Sequence, residues 1–354
     1  SGFFGKSFID GFNRGVLKTF KIKKIYVISR NPRVLKKHKE LNFKNVKLIR
    51  GDISKMKKLP KTDSIIYGAE NVAKRFYKNK KKIIKTHKKS IDNFCELLKN
   101  HEKCKVLYLG SGAVYKNKSN KKSLYGYMKL YSHLKNYSEK KIMNISNKNI
   151  KTSIARCFSF IGPWLPLNQH YAIGNFIYDG FYSDHIRVKT TQKVIRSYMY
   201  ADDLIFWLVK ILKSSENKTS IFNVGSDKSI EIVKLAKIIG KIFDKPVKFP
   251  KIIGKRVDKY VPNIHKVKRH LKLRINYDLM KSLLLTITRI NEKINYTEEY
   301  NINDELVLIL TISKYNLTFE VRWFYSQSDC PKSVIGLLTK GCKPDLFICN
   351  EDKE

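Results

Sequence analysis

The chain has 354 residues, of which 42% are hydrophobic and 12% aromatic, and its formal net charge is +42. A composition this rich in hydrophobic residues excludes a disordered chain, and no apolar run reaches the roughly 18 residues that a membrane span needs. The length suits one large α/β domain or two smaller ones. We therefore expect a folded protein that does not act in a membrane.

The basic residues are spread along the chain and consist of 59 Lys and only 13 Arg. Proteins that read phosphates and bases favour the planar fork of Arg, so this composition does not predict a specific nucleic-acid partner. A role in binding polyanions stays an alternative. Within 78–89 the lysines surround an isoleucine pair, which is typical of the solvated face of a helix.

The six cysteines are scattered and include no C-x-x-C pair; they are Cys95, Cys104, Cys157, Cys330, Cys342 and Cys349. A chain of this length does not need disulfides, so we expect free thiols, a reducing cytoplasm and no metal site. Residue 1 is Ser and no charged-then-apolar leader precedes it, so the start looks cut.

The charge balance changes near residue 296. Residues 297–354 carry six basic and ten acidic residues, which leaves a net charge of +46 on the rest. We therefore predict a basic body over residues 1–296 and an acidic tail of unknown role over residues 297–354. Apolar runs in the tail predict strands at 306–312 and 317–323.

In the body, short β-branched runs alternate with longer amphipathic segments. This alternation predicts an α/β fold with a doubly wound parallel sheet. The predicted helices include 7–20, 81–99 and 124–143, and the predicted strands are 24–29, 46–50, 64–67, 106–109 and 152–155.

Two glycines, Gly2 and Gly5, precede the first predicted helix, with Phe3 and Phe4 between them. Glycines at this spacing let the backbone approach a pyrophosphate, whose charge the helix N-terminus stabilises. A turn that only caps the helix would have the same sequence. The predicted next strand favours the cofactor site because it ends at Arg30, where a dinucleotide fold contacts the adenosine ribose.

The ends of three predicted strands specify this cofactor site further. Arg30 suits the 2′-phosphate of NADP, whereas an acidic residue would favour NAD, so we predict NADP with NAD as the alternative. Asp52 and Ile53 follow the next strand, where an adenine edge would lie. Gly68 and Ala69 follow the strand after that and are small enough for a cofactor to pass over the sheet edge.

A candidate catalytic set follows the predicted strand 106–109. Ser111 lies at its end, and Tyr125 and Lys129 lie one turn apart on the next helix. A lysine ammonium beside a phenol favours the phenolate, so Tyr125 could exchange a proton near neutral pH. Ser111 would then hold a substrate oxygen in line.

The Tyr-x-x-x-Lys pattern alone is not specific in a chain so rich in both residues. It recurs at Tyr77/Lys81 and at Tyr131/Lys135, which chance explains. Only Tyr125 opens a helix directly behind a strand that ends in Ser-x-x-Val-Tyr. We therefore predict that the pair headed by Tyr125 is the catalytic one.

These motifs resemble those of the extended short-chain dehydrogenase/reductase family, which comprises NAD(P)-dependent nucleotide-sugar epimerases, dehydratases and ketoreductases. Further segments match the family in the same order along the body. They are 154–163, 174–177, the Arg-Ser-Tyr-x-Tyr-x-x-Asp of 196–203, the Asn-Val-Gly-Ser of 223–226, and 260–263.

The resemblance implies an enzyme that acts by hydride transfer at a ring carbon of a nucleotide-diphosphate sugar. It implies a Rossmann-like cofactor part over residues 1–160, a small substrate lobe over residues 161–296, and association as a homodimer. The substrate-binding residues that it implies are Ser159, Asn175, Arg196 and Arg256. A planar Arg fork matches a diphosphate, although Arg196 paired with Asp202 or Asp203 is the structural alternative.

Two departures from the family pattern bear on fold and reaction. The family has three glycines after a first strand, whereas this chain begins at the second glycine, so we expect the central strand to be missing from a longer protein. Dehydratases carry an acidic pair where this chain has Gly112 and Ala113. We therefore predict an epimerase or 4-ketoreductase; a 4,6-dehydratase and a non-catalytic dinucleotide-binding module are the alternatives.

Overall fold

The computed structural model describes residues 2–69, 79–115, 127–169 and 171–298, and four strands beyond residue 303. The chain divides into two compact units, Ser1–Ile287 and Thr288–Glu354. The sequence predicts a boundary at residue 296, and the boundary between the units lies within the helix Leu279–Glu298.

The first unit alternates strands and helices. Its helices are α1 (Phe3–Asn13), α2 (Arg33–Lys36), α3 (Lys80–Lys99), α4 (Tyr127–Asn144), α5 (Ala172–Tyr182), α6 (Ala201–Lys213), α7 (Ile232–Ile242) and α8 (His265–Leu271), and α9 (Leu279–Glu298) begins in it. Its strands are β1 (Ile25–Ser29), β2 (Val46–Arg50), β3 (Ser64–Tyr67), β4 (Cys104–Ser111), β5 (Ile150–Cys157), β6 (Phe160–Ile161), β7 (Ile186–Arg187), β8 (Gln192–Ser197), β9 (Met199–Tyr200), β10 (Ser220–Val224), β11 (Ser229–Glu231), β12 (Val247–Lys248) and β13 (Gly254–Tyr260).

Parallel strands form the centre of this unit. Strands β3, β4, β5 and β10 form one sheet in the order β10–β5–β4–β3, and every neighbouring pair is parallel. Strands β1 and β2 form a second parallel pair. Helices α3 and α4 connect successive parallel strands, as crossover helices do. The predicted α/β fold is confirmed.

Alternate residues of β4 enter two different cores. Leu107 and Leu109 pack with residues of α6, including the fully buried Trp207. Val106 and Tyr108 point to the opposite face, where they pack with residues of α3. Side chains alternate across a strand, so helices cover both faces of this sheet, as in a doubly wound fold.

No strand among the described residues joins the two parallel sheets. There β1 pairs only with β2, and β3 pairs only with β4. Every residue of β1 is only half-buried although its sequence is Ile-Tyr-Val-Ile-Ser, whereas β4 is buried along almost all of its length. Phe3 packs against the cores on both sides of this gap. Among the described residues, the two parallel sheets therefore share no strand-to-strand hydrogen bonds.

Helix α1 begins earlier than predicted and is shorter. The sequence predicts a helix over 7–20, but α1 ends at Asn13 and only a single 3-10 turn follows at Lys18–Phe20. Gly15 adopts a φ of +77°, the left-handed conformation that terminates helices. Because α1 begins at Phe3, Gly5 lies in its first turn and not, as predicted, in a turn before the helix.

Strand β8 is the centre of a mixed sheet in the later part of the first unit. It pairs antiparallel with β11 and parallel with β13.

In the second unit, β14 (Asp304–Ile312) and β15 (Leu317–Tyr325) form an antiparallel hairpin, and β16 (Val334–Ile335) pairs with β17 (Phe347–Ile348). Both predicted tail strands are present, each two residues longer than predicted. No helix within the described ranges has the length and apolar character to cross a bilayer.

Candidate active site

Ser111 is the last residue of β4, at the carboxyl edge of the four-stranded sheet. Its side chain is buried, and its hydroxyl oxygen accepts a hydrogen bond of 3.2 Å from the Ala113 amide. Ligands of open parallel sheets bind at this edge, so the position is suited to contact a substrate. Because the Ala113 amide occupies one acceptor site, the Ser111 proton remains available for donation.

Helix α4 places a buried lysine against the same strand. Lys135 is only 4% exposed, and its ammonium donates a 2.8 Å hydrogen bond to the carbonyl of Leu109, two residues before Ser111. The same nitrogen lies 5.2 Å and 5.7 Å from the ring centroids of Tyr108 and Tyr131. Lysine is almost never this buried unless it is paired or functional. The Lys135 ammonium therefore lies near the rings of Tyr108 and Tyr131, two residues before the end of β4.

A second phenol reaches Ser111 from β13. The Tyr260 hydroxyl donates a long hydrogen bond, 3.5 Å, to the carbonyl of Cys157, which pairs with Ser111 across β4 and β5. Burial raises the pKa of Tyr260, a hydrogen bond with Ser111 opposes the shift, and Tyr131 adds to it. Tyr260 therefore interacts with both Ser111 and Tyr131.

Of the predicted pair of Tyr125 and Lys129, the structure describes only the lysine. Tyr125 lies outside the described residues. Lys129 is exposed, and it lies about 120° from Lys135 around the axis of an ideal helix. From the sequence alone the pattern at Tyr131/Lys135 is indistinguishable from chance. Among the described residues of α4, Ser132, Lys135 and Glu139 are all buried on one face.

Arg196 lies on β8, and its guanidinium is held by β13. It donates 2.6 Å and 2.7 Å hydrogen bonds to the carboxylate and the carbonyl of Asp258. The carboxylates considered from the sequence bind elsewhere: Asp202 pairs with Arg14, and Asp203 accepts from Asn276 and Tyr277. Arg196 therefore has a structural partner that the sequence does not reveal. Both terminal nitrogens of its guanidinium donate to Asp258.

The other predicted substrate residues are placed as follows. Asn175 lies on α5, and its side-chain oxygen is buried without a hydrogen-bond partner among the described residues. Ser159 is half-buried between β5 and β6, and its carbonyl accepts from the Met199 amide. Arg256 lies on β13, but its side chain is outside the described part. A buried amide oxygen costs free energy unless it is satisfied, so Asn175 suits contact with a polar ligand.

Open space adjoins the first turn of α1. A Cβ atom added to Gly2 or Gly5 would meet no atom within 4 Å. The side chains of Phe3 and Phe4 instead pack on Phe160, with ring centroids 6.5 Å and 5.6 Å away. The first amides of a helix lack partners within the helix. The backbone here, rather than the phenylalanine rings, therefore fits a pyrophosphate.

The other predicted cofactor residues follow β1, β2 and β3. Hydrogen bonds from Ser54 lower the pKa of Asp52 against the effect of burial, and the nearby charge of Arg30 lowers it further. Arg30 itself is exposed, as are Gly68 and Ala69. The carbonyl of Ile53 accepts a 2.7 Å hydrogen bond from Asn93 of α3, which fixes the turn after β2. Open glycines with an accessible arginine fit a dinucleotide.

Comparison with known families identifies the family of this chain. The family model described as NAD dependent epimerase/dehydratase family matches residues 2–225. The chain belongs to this family. UDP-glucuronic acid decarboxylase 1 of Xenopus tropicalis is 24% identical over 126 residues, which are 35% of this chain and 30% of the relative. The chain spans about a third of the length of the curated relatives that it matches first.

Solved structures of other proteins share the fold. One is UDP-glucose 4-epimerase from Thermotoga maritima, determined with UDP-glucose. It aligns with a TM-score of 0.66 at 15% identity, over 83% of the present chain and 97% of the epimerase chain. WbmF of Bordetella bronchiseptica, in complex with NAD+, aligns with a TM-score of 0.67 at 15% identity, over 84% and 92%. These similarities agree with the doubly wound fold described above.

Proposed function

We propose that the protein is an NAD(P)-dependent nucleotide-sugar epimerase or 4-ketoreductase whose catalytic residues are Ser111, Tyr131 and Lys135. The observation that carries the proposal is the buried ammonium of Lys135, 5.7 Å from the Tyr131 ring and bonded to the strand that ends at Ser111. Family membership supports the cofactor class, and the UDP-glucose in the Thermotoga maritima epimerase structure supports the substrate class.

In this proposal the residues divide the proton chemistry at one sugar hydroxyl. Ser111 binds the hydroxyl oxygen, and the Tyr131 phenol removes or returns its proton. The Lys135 ammonium stabilises the phenolate that forms when the proton has left Tyr131. A bound nicotinamide supplies the hydride acceptor and donor. An epimerase returns the hydride to the opposite face of the ketosugar, whereas a ketoreductase begins from the ketone.

The diphosphate of the substrate would lie near Arg196 and Asn175. Arg196 offers a planar fork that already shares its donors with Asp258, and Asn175 offers a buried amide. For the cofactor, the first amides of α1 would bind the pyrophosphate and Asp52 would lie near the adenosine. This division leaves the Ser111 end of the site for the sugar ring.

The assay that tests the function is a panel of substrates. The protein is incubated with UDP-, GDP-, CDP- and dTDP-hexoses and their 4-keto forms, with NADPH or NADH, and absorbance at the nicotinamide band is followed. Oxidation of the coenzyme by a ketosugar identifies a reductase, and interconversion of sugars without net absorbance change identifies an epimerase. If the protein turns over none of these substrates, the proposal is wrong. UDP-glucuronic acid belongs in the panel because the curated relatives are named as its decarboxylases.

Arg30 gives a prediction about the coenzyme. Arg30→Ala is expected to weaken NADPH binding at least tenfold and to leave NADH binding unchanged, because a charge-assisted hydrogen bond to phosphate contributes about 1.5–3 kcal/mol. Isothermal titration of both coenzymes measures the effect. Lys36→Ala, at an exposed position on α2, is the matched control. A wild-type protein that binds NADH more tightly than NADPH would show that NADP is the wrong coenzyme.

A further inference from the structure

The segment that joins β12 to β13 presents apolar side chains to solvent. Phe249, Ile252 and Ile253 are 48%, 40% and 77% exposed. A single exposed apolar residue is ordinary on a protein surface, whereas a group of neighbouring ones marks a surface where something binds. Residues 248–253, which contain all three, are called the tip segment below.

Both ends of the tip segment are hydrogen-bonded to the chain between β7 and β8. The Lys248 carbonyl accepts a 2.9 Å hydrogen bond from the Val188 amide, and the Ile253 amide donates a 3.0 Å hydrogen bond to the Thr191 carbonyl. Pro250 lies between these two anchors, and proline fixes its own φ angle. Because the segment is held in this way, its apolar side chains lose little conformational entropy when a partner covers them.

Positive charge surrounds these apolar side chains. Residues 244–257 include four lysines and one arginine against a single carboxylate, Asp244. Both lysines of the tip segment are exposed. From α7, the Lys237 ammonium lies 5.5 Å from the centroid of the Phe249 ring. The tip segment is therefore an apolar patch with a basic rim.

The patch continues along the outer face of β13. Val257 and Lys259 are exposed, and they lie two residues apart on one side of the strand. Asp258, between them, points to the other side and binds Arg196. A partner on the outer face would therefore leave the proposed diphosphate arginine uncovered.

An anionic lipid bilayer is the partner whose chemistry matches both features. Apolar side chains gain free energy when they enter the boundary between headgroups and acyl chains, and lysines around them are attracted to the negative headgroups. A nucleic-acid backbone would bind the lysines but would leave the two isoleucines in water. The combination of apolar tip and basic rim therefore favours the bilayer.

We propose that the tip segment docks this protein on the surface of an anionic membrane. Phe249, Ile252 and Ile253 insert among the headgroups, and the lysines around them contact lipid phosphates. The sequence has no apolar run long enough for a membrane span, and docking of this kind needs none. The proposal goes beyond the reaction proposed above and does not depend on it.

The test is co-sedimentation with lipid vesicles. We expect the protein to bind phosphatidylcholine vesicles containing about 30% phosphatidylserine at least tenfold more tightly than vesicles of phosphatidylcholine alone. Phe249→Ser/Ile253→Ser removes the apolar insertion, and Lys248→Gln/Lys251→Gln removes two charges of the rim. Each double variant should weaken binding to the anionic vesicles about tenfold.

Two control variants separate the patch from the overall charge, because a chain with a formal charge of +42 is attracted to any anionic surface. Lys57→Gln/Lys58→Gln removes two exposed lysines elsewhere on the first unit. Met143→Ser/Met280→Ser removes two exposed apolar side chains, which are 38% and 44% exposed. Both controls should bind the anionic vesicles within about twofold of wild type. Circular dichroism shows that each variant is folded.

Three results would each overturn the docking proposal. Equal losses in the two lysine variants would mean that overall charge alone attracts the vesicles. Unchanged binding by Phe249→Ser/Ile253→Ser would mean that the rim contacts a polyanion without insertion. If the wild-type protein does not bind the anionic vesicles, the patch has another occupant, and loss of self-association in the same variant would identify a second copy of the chain. None of these measurements uses turnover, so each result leaves the proposed enzymatic function to its own assay.

Discussion

Replacing Lys135 by Met is expected to lower kcat/KM by about 10²–10⁴, the range that a positioned acid–base group contributes. Methionine has nearly the same length and fits an apolar site, but it removes the ammonium beside the Tyr131 ring. The phenolate then loses its stabilising charge. Tyr131→Phe should cause a loss of the same size, and steady-state kinetics with the panel substrate measures both.

The competing pair provides the contrast. Lys129 is exposed on α4, so Lys129→Met should leave kcat/KM within about twofold of wild type, as for most exposed positions away from a site. Tyr125→Phe is the corresponding change in the phenol. If these two variants were inactive and the Lys135 and Tyr131 variants active, the catalytic pair would be the one predicted from the sequence. Coenzyme binding by each variant, measured by calorimetry, shows whether the cofactor part is intact.

Sequence periodicity predicts most of the parallel sheet closely. The strands β2 and β3 have the predicted bounds, and β4 and β5 extend about two residues beyond theirs at each end. These strands are short apolar runs bounded by polar turns, which is the pattern that buried parallel strands produce. Helix α3 differs from its prediction by a single residue. Local hydrophobicity is sufficient information for these elements.

The choice between candidate catalytic pairs illustrates what local patterns leave undetermined. Tyrosines at 125, 131 and 137 each have a lysine four residues later. Successive pairs are six residues apart, which rotates them by about 240° around a helix. Only one pair can face the sheet. Tyr137 and Lys141 bind Asp92 at the surface, whereas Lys135 reaches Leu109. The choice depends on which face α4 buries, and that is decided by packing against β4 and β5.

Long-range partners are also invisible in the sequence. Arg196 and Asp258 are separated by 62 residues and meet because β13 lies beside β8. The sequence places carboxylates closer to Arg196, at Asp202 and Asp203, but α6 directs them to Arg14 and to Asn276. A motif gives the type of residue at a site, whereas its partner follows from the order of the strands.

The ion pair of Glu139 and Arg156 fixes α4 on the sheet. Arg156 donates hydrogen bonds of 3.0 Å and 2.7 Å to the two carboxylate oxygens, and the side chains are 15% and 3% exposed for Arg156 and Glu139. The guanidinium also lies 4.7 Å from the ring centroid of Tyr115. Glu139 is one turn beyond Lys135, so this pair holds the part of α4 that carries the proposed ammonium.

Arg156→Met is expected to lower the free energy of unfolding by about 3–5 kcal/mol, since it leaves the Glu139 carboxylate buried without its partner. Urea denaturation followed by circular dichroism measures the change. Adding Glu139→Leu should recover most of the loss, because an apolar pair replaces a buried ion pair at little cost. Lys61→Met, in the exposed pair with Glu102, should leave the unfolding midpoint unchanged. A loss no larger for Arg156→Met than for Lys61→Met would mean that α4 is held by its apolar contacts alone.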